Sequence, residues 1–147
     1  MADRVITWRF FEWGNNTTIS DEDYREGTRD AFRMFNRYFQ FTFKEHPVGS
    51  SAAANYYIGF AGSSPLPGYG LAIADRFGQW YFRTPGVVYI DPTRGLVNRD
   101  QVRVLIAHEM GHHFSGNHHS QDERDVMHIN VRRDITNFTR ADFDRFA

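Results

Sequence analysis

Residues 108–119 read His-Glu-Met-Gly-His-His-Phe-Ser-Gly-Asn-His-His, and six of the seven histidines in the chain fall between His108 and His128. The stretch opens with H-E-x-x-H. On a helix, residues four apart share a face, so His108 and His112 can present two imidazoles to one ion. Glu109 sits one residue further round, close to such an ion without being forced to bind it. That is the place for a general base that takes a proton from water at a metal. A third nitrogen ligand must come from just beyond the helix, where His118 and His119 stand. Cysteine is absent, which excludes thiolate ligands, disulfides and a Cys nucleophile. A zinc site in this chain must therefore use histidines and carboxylates.

A bare H-E-x-x-H also arises on surface helices with two solvated histidines. Four neighbouring features oppose that reading. Apolar residues flank the pair: Val102, Leu105, Ile106 and Met110 anchor the helix. Asn98 caps its start, with Gln101 three residues on. A glycine, Gly116, follows where the chain must turn sharply, with two histidines behind it. Val126-Met127 comes shortly after. One divalent ion, Zn²⁺, is the cofactor this set implies, held by three imidazoles with one position left for water.

The elements that must position these residues are legible in outline. With 147 residues, 41% hydrophobic and 16% aromatic, the chain suits one globular domain with a substantial core. Residues 1–147 are read as a single catalytic domain, with neither a signal peptide nor a pro-segment. A net charge of −1 gives no general field for nucleic acid, and Arg132-Arg133 reads as solvated surface. No apolar run is long enough to span a membrane. As translated, the chain would stay in the cytoplasm unless exported by another route or packaged in a particle.

Strands are expected at 5–11, 41–45, 55–61, 71–74 and 86–91, from β-branched and aromatic runs bounded by turn residues. A first helix starts at Ser20, with Asp21, Glu22 and Asp23 in its first turn. Tyr24, Ala31, Phe35 and Tyr38 recur at roughly helical spacing as its core stripe, which Phe32 and Phe39 widen. Residues 76–84 suggest a hairpin arm. A last short helix follows Thr139, which pairs with Asp142 as a capping box, while Phe138 staples onto Phe143. His46, Asp75 and Asp91 are read as loop and strand-end polar groups.

These residues together resemble the metzincin clan of zinc endopeptidases, whose signature is H-E-x-x-H-x-x-G-x-x-H followed by a Met-turn, and within the clan the matrixins. The likeness runs through Val5–Phe11, Asp30–Glu45, Asn55–Phe60, Gly70–Asp75 and Thr136–Phe146. It implies a zincin-like α+β fold: a twisted, mostly parallel five-stranded sheet with three helices, the zinc lying in a cleft on the second helix. By the resemblance, His108 and His112 are metal ligands, Glu109 is the catalytic base and Met127 forms the Met-turn beneath the ion without binding it. The third ligand departs from the pattern. Counted from His108 it is His118, with Ser115 in the place of the family glycine; counted from Gly116 it is His119, with one residue inserted. His118 is favoured, because an insertion would shift how the helix ends, and His119 is the competitor. His113 is a helix-side residue, and His128 is either a cleft-lining or a satisfied polar group. The substrate implied is a protein or peptide extended along the edge strand near Gly70–Asp75, with 128–131 forming part of the specificity pocket. A structural Ca²⁺ or a second Zn²⁺ cannot be matched to residues. The competing reading is a catalytically silent protein of the same fold, with a structural, assembly or binding role.

Overall fold

The computed structural model describes residues 4–10, 19–37, 41–60, 70–73, 86–90, 98–115, 119–128, 132 and 134–146. The elements run β1 (Arg4–Phe10), α1 (Asp21–Asn36), β2 (Phe41–Glu45), β3 (Tyr56–Phe60), β4 (Gly70–Ile73), β5 (Gly86–Ile90), α2 (Arg99–Ser115) and α3 (Arg140–Phe146). Each expected strand and helix within the described residues appears, with ends displaced by a residue or so. The suggested hairpin arm at 76–84 lies outside them, as do Asp75 and Asp91.

The strands form one sheet in the order β2-β1-β3-β5-β4. β1 pairs with β2 and β3 in parallel, and β3 with β5 in parallel. β4 runs antiparallel to β5 and is the edge strand of the sheet among the described residues. Parallel neighbours need crossover connections, and α1 supplies the one between β1 and β2.

Alternation along β1 decides which face is covered. Ile6, Trp8 and Phe10 are buried while Val5 is 58% exposed. Phe43, Tyr56 and Ile58 join them on the covered face. α1 lays Tyr24, Ala31, Phe32 and Phe35 against this surface, with Phe32 stacked on Trp8 at 4.2 Å between ring centroids. Phe35 is the meeting point of the layers, its ring contacting Phe43, Phe114, Phe138 and Phe146. Ser20 accepts from the backbone N–H of Asp23 at 3.1 Å and caps α1 as its type predicts.

α2 packs against α1, β4, β5 and α3. Val102, Ile106, Ala107 and Met110 are wholly buried and Val104 nearly so. The helix pair is drawn tight at Gly27, where a Cβ would lie 2.7 Å from both the Arg99 carbonyl oxygen and Val102 Cβ. Arg99 also binds Asp30 through both carboxylate oxygens, at 2.6 and 2.9 Å, tying the start of α2 to the middle of α1. Among the described residues no helix is long and apolar enough to cross a membrane.

Candidate metal centre

The site grows from α2, whose start is capped by Asn98 Oδ1 accepting from Gln101 N at 3.0 Å. About three turns in, the helix carries His108, Glu109 and His112. His108 is 5% exposed and Glu109 9%. His112 is half-buried and His119 exposed, so the cluster opens to solvent on that side.

His108, His112 and His119 converge, each presenting a ring nitrogen within 4.8 Å of the others. The His108 and His112 Nε2 atoms are 3.2 Å apart. The His119 ring lies parallel to His108, with centroids 5.3 Å apart, and edge-on to His112 at 4.9 Å. Two nitrogens bound to one tetrahedral zinc at about 2.0–2.1 Å are separated by about 3.3 Å. The α2 pair already has that spacing, and three imidazoles make the donor set of an open zinc site. The residues present fit the ion.

The tautomer of His108 follows from its other nitrogen. Nδ1 lies 2.7 Å from the Val126 carbonyl, which can only accept, so Nδ1 carries the proton and Nε2 turns a lone pair toward the cluster. Burial pushes this imidazole down to about 4; the Val126 carbonyl opposes that, and the nearby imidazoles of His112, His119 and His128 add to it. At neutral pH the ring is therefore uncharged and needs to lose no proton to become a ligand.

Beneath α2 lies the turn that holds Val126 and Met127, both with no exposed surface. Met127 presses against the helix at Gly111, where a Cβ would stand 2.3 Å from its Sδ. Gly111 thus permits a close approach that any larger residue would oppose. The turn itself is held by Asp142. This fully buried carboxylate accepts from Val126 N at 2.9 Å and Met127 N at 3.1 Å. It also accepts from Thr139 N at 3.0 Å while Thr139 Oγ1 accepts from Asp142 N at 3.1 Å, completing the capping box of α3. The expected staple is present too, with the Phe138 and Phe143 rings 5.3 Å apart.

The segment leading into this turn is pinned by a second buried acid. Asp125, 2% exposed, accepts from Ser120 Oγ at 2.5 Å and from Thr139 Oγ1 at 2.7 Å, and pairs with Arg145 at 3.2 Å. Burial alone would raise this carboxyl; the hydrogen bonds from Ser120, Thr139 and Arg145 hold it below its ordinary range.

The sequence-predicted residues therefore fall as follows. His108, His112 and His119 meet, Glu109 adjoins them, and Met127 lies buried against the same helix. His118, the favoured third histidine, lies outside the described residues, whereas the competitor His119 is found beside the pair. α2 is still helical at Ser115, the residue that the His118 count sets in the place of the turn glycine. His128 is half-buried and bridges to Ser120 through its backbone. Sequence reasoning missed Gly111, the Val126 carbonyl, Asp125 and the second role of Asp142. Only Asp142 carried a signal, as a cap residue whose carboxylate has acceptor capacity to spare.

The family model described as matrixin covers residues 2–145 of the chain. No curated protein matches it.

Proposed function

The chain belongs to the matrixin family, and on that premise we propose that it is a zinc-dependent endopeptidase, with His108, His112 and His119 as metal ligands and Glu109 as general base. The reading makes His119, not His118, the third ligand. The observation that carries it is the convergence of three ring nitrogens within 4.8 Å of one another, beside a nearly buried carboxylate. Residues 1–147 are read as one catalytic domain, with the metal in a cleft on α2.

A bound zinc ion would supply a Lewis acid that acidifies water and polarises a peptide carbonyl. Glu109 takes the proton from the attacking water and delivers it to the leaving amine. A structural site needs no such base. His108 serves as the uncharged ligand that its burial and its Val126 hydrogen bond make it. Met127 acts as the floor of the site, its thioether turned to the Gly111 backbone. The substrate is a protein or peptide chain, which adds as a further strand along β4, the edge of the sheet among the described residues.

The test is cleavage of casein or a quenched peptide by the zinc-loaded chain, compared with chelated protein and with Glu109→Ala. Wild type should bind one equivalent of zinc and cleave. Glu109→Ala should keep the zinc and lose about 10²-fold or more in rate. Stoichiometric zinc without cleavage would overturn the enzymatic reading and favour a silent, binding role.

A further inference from the structure

The three imidazoles are not held alike. His108 is buried and hydrogen-bonded at Nδ1, while His119 is exposed, so the position of its ring depends on the backbone that carries it. That backbone is fastened at the next residue. Ser120 N donates to the Met127 carbonyl at 2.8 Å, and Ser120 Oγ accepts from Asp122 N at 3.0 Å while donating to Asp125. The Asp125 carboxylate spans the gap between this point and the cap of α3, reaching Thr139 and Arg145.

We propose that Asp125 is a positioning residue for the metal centre, fixing His119 through Ser120 so that the third imidazole is set before the ion arrives. This inference rests on the zinc-site reading above but concerns a residue that touches neither ion nor substrate. Asp125 and Asp142 divide the work. Asp142 holds the turn under His108, and Asp125 holds the segment bearing His119. Both are anchored at the N-terminus of α3, Asp142 as a cap residue and Asp125 through Thr139, so one helix start sets both sides of the cluster relative to α2.

A merely structural Asp125 would lower the stability of the metal-free chain and leave the zinc affinity of folded protein unchanged. The discriminating measurement is therefore the zinc dissociation constant by competition with a chromophoric chelator, with the urea midpoint of the metal-free chain recorded alongside. Asp125→Asn and Ser120→Ala should each weaken zinc binding about tenfold or more, within the range seen when groups that orient metal ligands are removed. Ser120→Ala leaves the contacts of Asp125 to Thr139 and Arg145 in place, so it decides the matter if Asp125→Asn fails to fold. Ser120→Thr, which keeps the hydroxyl, should restore affinity to within a few-fold of wild type. Wild-type zinc binding that survives unchanged in folded Ser120→Ala and Asp125→Asn overturns this inference alone. A wild-type chain that binds no zinc overturns the metal-site reading, and this inference with it.

Discussion

Replacing Asp142 by asparagine tests whether the turn beneath α2 is held electrostatically from α3. The carboxylate accepts three backbone N–H groups: Oδ1 takes Met127 at 3.1 Å, and Oδ2 takes Val126 at 2.9 Å and Thr139 at 3.0 Å. An amide has one oxygen. Set in the place of Oδ2, it keeps two of the bonds and turns its NH₂ group against the Met127 N–H. Leaving that buried donor without a partner costs about 1–3 kcal/mol. The two remaining bonds lose their charge assistance, about 1 kcal/mol each. Removing a buried charge works in the opposite direction by relieving desolvation. The net expectation is a loss of about 2–4 kcal/mol, and somewhat more for Asp142→Ala, which orphans all three donors. Urea denaturation of the metal-free chain measures this as a lower midpoint at an unchanged slope. Zinc affinity should fall in parallel, because the Val126 carbonyl orients His108. If Asp142→Asn unfolds within about 0.5 kcal/mol of wild type, in the range of an ordinary surface substitution, the role assigned to this carboxylate is wrong.

Three further outcomes follow from the same geometry. Gly27→Ala places a methyl group 2.7 Å from the Arg99 carbonyl and Val102 Cβ; overpacking of about 1–3 kcal/mol should outweigh the better helix propensity of alanine, so the thermal midpoint should drop. Gly111→Ala meets the Met127 thioether instead of backbone, so the side chain can yield; its stability should change less than that of Gly27→Ala, and the rearranged floor should appear as altered absorption of the cobalt-substituted site. In the metal-free protein, the His108 ring takes up a second proton and becomes charged only below about pH 4, whereas in an unfolded chain it does so near 6.5. Stability is therefore whole above about pH 6.5 and declines as pH falls toward 4, by about 3 kcal/mol from this group; an NMR titration that finds the His108 ring protonated already at pH 6 would contradict it.

What could be read from the sequence was whatever the chemistry demands locally. Two imidazoles on one helix face must lie four residues apart, so His108 and His112 announce themselves. Capping is equally local, and Ser20, Asn98 and the Thr139–Asp142 box stand where their types require. The third imidazole was harder, because its identity depends on where the helix stops. Placing serine in the role of the turn glycine favoured His118, which lies outside the described residues; α2 keeps helical geometry through Ser115, and His119 is found beside the pair. Phe114, in the last turn of α2, packs against the core, its ring 5.6 Å from Phe35 and 5.9 Å from Phe146. Where a helix stops depends on such tertiary contacts, which no local pattern encodes.

The two buried aspartates were illegible for a related reason. Asp142 acts on residues 15 and 16 positions earlier, and Asp125 on a hydroxyl 14 positions later, in each case by way of main-chain groups or short side chains common in any loop. Their shared anchor is the N-terminus of a helix only seven residues long. Such a helix contributes little core by itself; Phe146 and the staple of Phe138 on Phe143 are most of what it buries. Its larger consequence is to place two carboxylates where the donors of the loop between α2 and α3 can reach them. The sites of attachment on that loop, Ser120 at one end and Val126–Met127 at the other, are also the residues next to His119 and under His108. The α3 start thus fastens the loop on both sides of the histidine cluster, next to His119 and under His108.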